Sequence, residues 1–102
     1  MTVKEFNKKI DDGEAKILTV EIAKGLIGKH IYWTYFPAPA NYQVVEELTI
    51  GGIIREDKNT IGIVDENQNK TYIRYLEDYD TFEEPTFICS DADRPVFFLI
   101  AE

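Results

Sequence analysis

Residues 29–36 read Lys-His-Ile-Tyr-Trp-Thr-Tyr-Phe and hold the chain's single Trp, its single His and four of its aromatic side chains. Aromatic and β-branched residues in this density suit a pleated, packed surface. Alternation puts Ile31, Trp33 and Tyr35 on one face and His30, Tyr32, Thr34 and Phe36 on the other. Both faces are apolar enough to be mostly covered. The stretch is therefore predicted to be the first long strand of a small β domain, with helix before it and strands folding back on it.

The residues before it carry helical signals. Thr2 followed by Glu5 forms a capping box. Val3, Phe6 and Ile10 make one apolar stripe, and Gly13 suits the position just past a helix end. Residues 3–12 are thus predicted to be a short amphipathic helix acting as a lid, with Lys4 and Lys8 on its outer face. Residues 15–20 fit a short strand. Thr19 also fits as the cap of a second helical turn over residues 20–26, with Ile22, Leu26 and Ile27 buried. Gly25 and Gly28 end that turn. They lack the spacing and the following Ser or Thr of a phosphate-binding loop.

After Phe36, two prolines mark residues 37–42 as a loop. Residues 43–55 form a long strand pattern broken at Gly51-Gly52, the mark of a bulge or barrel corner. Glu46 shares its parity with Leu48 and Ile50, while Glu47 points the other way, which makes the adjacent acids a poor catalytic pair. Short strands follow at residues 61–64, 70–75, 86–90 and 96–101, separated by polar turns. The fold class read from this is α+β, mainly β. A short N-terminal helix, with or without a second helical turn, leads into an antiparallel SH3-like barrel or strongly bent sheet of about five or six strands. A chain of 102 residues is one domain, here a helical lead-in over 1–28 and the β unit over 29–101.

Charge is unevenly placed. The net is −8, made of +1 over residues 1–29 and −9 over residues 30–102. Between Tyr75 and Asp93 there are seven acids and no Lys or Arg. Such a field repels nucleic acid and attracts basic surfaces, and it also keeps a small protein soluble. The single Cys89 excludes an intrachain disulfide and suits a reducing compartment. No apolar run approaches the ~20 residues that cross a bilayer. The polar residues 1–9 lack the apolar core of a signal peptide, so the expected location is cytoplasmic, away from membranes.

Several constellations resemble chemical sites at first sight. Asp65, Asn67 and Asn69 have the opening spacing of a calcium loop, but Lys70 and Leu76 stand where Gly and Glu are required, and a hairpin turn accounts for them. His30 and Cys89 are too few for a zinc site, and as a nucleophile and base they would have to meet in space. Asp91 and Asp93, in Asp-Ala-Asp-Arg-Pro, read as a turn with Asp93 paired locally to Arg94. No enzymatic activity, metal or cofactor is expected.

The segment over residues 75–85 mixes five acids, Glu77, Asp78, Asp80, Glu83 and Glu84, with Tyr75, Tyr79 and Phe82. Aromatic anchors inside a charged rim are how interfaces concentrate binding energy. The expected partner-binding residues are these eight together with Asp91 and Asp93 beside them. In size, in acidic balance and in the run Leu-Glu-Asp-Tyr-Asp-Thr-Phe-Glu-Glu at 76–84, the chain resembles the small acidic anti-CRISPR-type inhibitors that phages encode against host nucleases. That resemblance implies a protein-binding inhibitor that mimics nucleic acid. It would occupy a basic groove on a nucleic-acid-processing enzyme without touching nucleic acid itself. Two other readings stand beside it. One is a structural or adaptor module that binds a peptide or itself through residues 37–42 or an edge strand. The other is a small-molecule-binding or hydrolytic barrel using His30, Cys89 and Asp93.

Overall fold

The computed structural model describes residues 1–37, 43–78 and 82–101. Helix α1 spans Val3–Asp11 and starts with the expected capping box: the Glu5 amide donates to Thr2 Oγ1, and the Thr2 amide to Glu5 Oε1. Gly13 follows at φ +78°, a left-handed turn that costs glycine little. Strand β1, Lys16–Ile17, and helix α2, Val20–Lys24, come next. The two readings of residues 15–26 are therefore both realised, in succession, with Thr19 Oγ1 capping α2 through the Ile22 amide.

Six strands then form a closed antiparallel barrel: β2 His30–Tyr35, β3 Glu46–Arg55, β4 Thr60–Asp65, β5 Lys70–Leu76, β6 Ile88–Cys89 and β7 Arg94–Ile100. The order β7-β2-β3-β4-β5-β6 returns to β7 through Ile88↔Pro95 and Cys89↔Arg94. β1 is an extra strand on the same edge of β7, opposite Phe97 and Phe98. Where β6 hands over to β1, three segments of the chain interlock. The Leu18 amide donates to Val96 O, Val96 N to Phe87 O, and Phe87 N to Leu18 O. Closure removes the exposed edges that an open sheet would carry.

Ile31, Trp33, Leu48, Ile50, Ile63, Ile73, Phe87, Val96 and Phe98 fill the interior, and Leu18, Ala23 and Leu26 join them where the chain leads into β2. Trp33 is a core residue, as expected, with 6% of its surface accessible. Ile22 and Ile27 are not: they are 39% and 50% exposed. Ala23 and Leu26, three apart, take the inward face of this short turn, so Ile22 and Ile27 point away. The small Ala23 lets the helix sit close to the barrel.

The second face of β2 is covered only in part: His30 is exposed and Tyr32 and Phe36 are half-buried. Thr34 is wholly buried there, donates to Val44 O and accepts from Gln43 Nε2, while Gln43 and Asn7 of α1 exchange two amide hydrogen bonds of 3.1 and 2.8 Å. Phe6 of α1 is fully buried outside the barrel cluster. In β3 the register slips between Ile50 and Gly52, so the predicted bulge is present. Gly51 is required there, because a Cβ would come within 2.0 Å of Asp65 O. Among the described residues, no helix is long and apolar enough to cross a membrane.

Candidate functional site

Antiparallel closure assigns every connection to one of two barrel ends. The end where β5 finishes carries the β3–β4 turn and residues 77–78 and 82–87, with α2 tied on by the Val20 amide donating to Pro85 O. The opposite end carries the β4–β5 turn, the β6–β7 turn and the start of β3.

The described part of the acidic segment lies at the first end. Tyr75 is half-buried against the core, so it anchors the segment to the barrel. Glu77 is held twice: its carboxylate pairs with Arg55 at 2.5 Å, and its amide donates to Asn59 O. Asp78 is exposed. Tyr79 and Asp80 fall outside the described residues. Phe82 is half-buried and Glu83 and Glu84 are exposed. These three share a shallow groove of about 250 Å³ with Ile17, Thr19 and Thr86. Thr86 Oγ1 donates to Glu84 O, which fixes the return into β6. Among the described residues no ion pair involves Asp78, Glu83 or Glu84.

Asp91 and Asp93 are exposed but lie elsewhere. They sit in the β6–β7 turn, where Asp93 takes a left-handed φ of 51° and donates its amide to Cys89 O. The Ser90 amide bonds Tyr72 O, and Ile73 and Arg74 oppose Cys89 and Ile88. This register sets Ser90, the neighbour of Asp91, level with Tyr72, and the strand from there to Glu77 runs roughly 16 Å at ~3.3 Å per residue. No ion pair joins Asp93 to Arg94 among the described residues.

His30 and Cys89 are not brought together. His30 is exposed on the outer face, with Nδ1 2.7 Å from Thr49 Oγ1 and Nε2 3.4 Å from Glu47 Oε1. Cys89 belongs to the interior cluster. Burial pushes its thiol pKa up, opposite to what a nucleophilic cysteine needs. Asp65 Oδ1 accepts from the Asn67 and Asn69 amides, each at 2.9 Å, which is the turn chemistry read from the sequence.

Two features were not anticipated. Arg74 Nε pairs with Glu56 at 2.7 Å while its Nη1 donates to Ser90 Oγ, joining two turns across the outside of the barrel. A cleft opens at the start of β3, beside Trp33, Glu46 and Tyr72. The parity of Glu46, on the core side of its strand, was the available signal for the second. The chain matches no protein-family model, and neither curated proteins nor solved structures supply a match.

Proposed function

We propose that this protein is a non-catalytic binding module. Its acidic segment, residues 75–85, docks on a basic groove of another protein, of the kind a nucleic-acid-processing enzyme uses to hold phosphates. The observation that carries this is the contrast within the segment. Glu77 is neutralised by Arg55, whereas Asp78, Glu83 and Glu84 stand exposed with no described cation on them, and Glu83 and Glu84 share a groove with the half-buried Phe82. Solubility needs only the charges. An aromatic set among unneutralised carboxylates suits an interface, where the ring supplies desolvated contact and the rim steers a basic partner. Filling such a groove would exclude nucleic acid from it, which is how the likeness to anti-CRISPR-type inhibitors would carry over.

The test is affinity capture from an extract at about 0.05 and 0.5 M salt. The captured protein should leave at the higher salt, be displaced by added DNA or RNA, and be captured more weakly by an Asp78→Asn, Glu83→Gln, Glu84→Gln variant. Capture that ignores salt and nucleic acid, or that the variant retains undiminished, overturns the proposal.

A further inference from the structure

Among the described residues the β3–β4 ladder starts later than the β2–β3 ladder. β3 pairs with β2 from Glu46 to Thr49, but its ladder with β4 begins only at Ile50↔Asp65. Over residues 46–49 the edge of β3 that faces the β4–β5 hairpin therefore carries no strand among the described residues. A cleft of about 190 Å³ opens there, bordered by Trp33, Glu46, Glu47, Asp65, Thr71 and Tyr72. This is below the ~300–1,000 Å³ of small-molecule pockets, and suits one side chain.

Its lining is of two kinds. Trp33 presents its small accessible margin, and Tyr72 is 59% exposed among the described residues. Glu46 stands directly across the ladder from Trp33. Asp65 spends Oδ1 on two turn amides, and no described donor is bonded to Oδ2. Among the described residues neither Glu46 nor Asp65 has an ion-pair partner.

We propose that this cleft receives the guanidinium of an arginine presented by a protein partner. A planar, weakly hydrated cation stacks on aromatic faces while its in-plane N–H groups reach carboxylates at the rim. A lysine ammonium is a strongly hydrated point charge and uses the flat walls less well. The inference rests on the reading of a basic protein partner, but it uses the barrel end opposite the acidic segment, so the two fail separately.

Trp33 is the only tryptophan, so its emission reports on the cleft without a label. The parent protein is titrated with a capped Gly-Arg-Gly peptide and with matched lysine and citrulline peptides. A saturable emission change is expected for arginine, weaker by roughly three- to tenfold for lysine and citrulline. Glu46→Gln and Tyr72→Ala should each weaken it by a similar factor, roughly three- to tenfold, while both variants unfold as the parent does. The Asp78→Asn, Glu83→Gln, Glu84→Gln variant should titrate like the parent. No saturable change with arginine, or equal binding of citrulline, overturns the proposal. So does a response that Glu46→Gln keeps and the loop variant loses, an outcome that leaves the acidic segment standing as the contact surface.

Discussion

Glu56 and Arg74 meet over Gly62. Glu56 Oε2 lies 2.7 Å from Arg74 Nε, Gly62 opposes Arg74 across the β4–β5 ladder, and a Cβ on Gly62 would come 2.8 Å from Glu56 Oε1. The missing side chain makes room for the carboxylate to fold back over β4. Both partners are mostly covered, with side-chain exposures of 25% for Arg74 and 11% for Glu56. Removing one leaves the other poorly solvated, so Arg74→Met is expected to cost about 2 kcal/mol in urea unfolding. Gly62→Ala should destabilise the parent by about 1 kcal/mol, and become neutral or stabilising once Glu56 is Ala. An unchanged Gly62→Ala cost in the Glu56→Ala background would show that the strand itself, not the carboxylate, demands glycine.

The bulge gives a sharper contrast between neighbours. At Gly51 a Cβ would sit 2.0 Å from Asp65 O, a backbone atom that moves only if the β3–β4 register moves. At Gly52 the nearest atom is Val64 Cγ2 at 3.6 Å, ordinary contact. Gly51→Ala is expected to cost about 3 kcal/mol or more, and Gly52→Ala within about 0.5 kcal/mol of zero. Equal denaturation midpoints for the two would contradict the observed register.

These features differ in how far the sequence discloses them. The Thr2/Glu5 cap, the alternation of residues 29–36 and the Gly51-Gly52 break are local, and a local pattern needs no knowledge of the neighbour. The Leu18–Phe87–Val96 junction that closes the barrel joins residues far apart in the chain by backbone bonds, which leave no side-chain signature. The same limit hid the separation of Asp91 from Glu77, since adjacency in an acidic run says nothing about which end of a strand each acid reaches. A helix as short as α2 offers no full period to show which side faces in, so the sequence does not disclose that Ile22 and Ile27 point outward. Glu46 was seen to share the core parity of its strand. Only the early end of β4, at Asp65, turns that position into a cleft.

Trp33 closes the floor of that cleft and is part of the interior cluster. Truncating a core aromatic costs ~3–5 kcal/mol. At ~4–8 °C per kcal/mol for a domain of this size, Trp33→Ala should lower Tm by more than ~12 °C. Trp33→Phe keeps most of the apolar contact and should cost clearly less. A Trp33→Ala variant melting with the parent would remove this residue from the core.

Cys89 links stability to pH on the alkaline side. Burial raises its pKa in the folded state, while an unfolded thiol ionises near ~8.5. Above that pH the unfolded chain has released the proton and the folded chain still holds it. The unfolded state then binds fewer protons, so stability falls as pH rises from the unfolded pKa towards the folded one. Unfolding free energies measured across this window should decline more steeply for the parent than for Cys89→Ala. The thiol should also resist alkylation at pH ~8 until denaturant is added. Equal slopes for parent and variant, or rapid labelling of the folded protein, would show an accessible thiol instead.

The acidic segment separates charge from contact in kinetics. Asp78, Glu83 and Glu84 are exposed rim positions, and substituting their amides removes long-range attraction without removing shape. Once a partner is in hand, neutralising these three should slow association and flatten its dependence on salt, with dissociation little changed. Phe82 is half-buried beside Ile17 and Thr86, so Phe82→Ala removes a desolvated anchor and should speed dissociation, at a cost of roughly 2 kcal/mol. Stopped-flow mixing at several salt concentrations reads both rates, and thermal melts show whether the barrel survives each change. Unfolding cannot mimic this result, because it would lower the active concentration of both variants instead of splitting the effect between the two rate constants. Should both variants bind with the parent's on- and off-rates, residues 75–85 serve only as a solvated surface, and the contact belongs to the other barrel end.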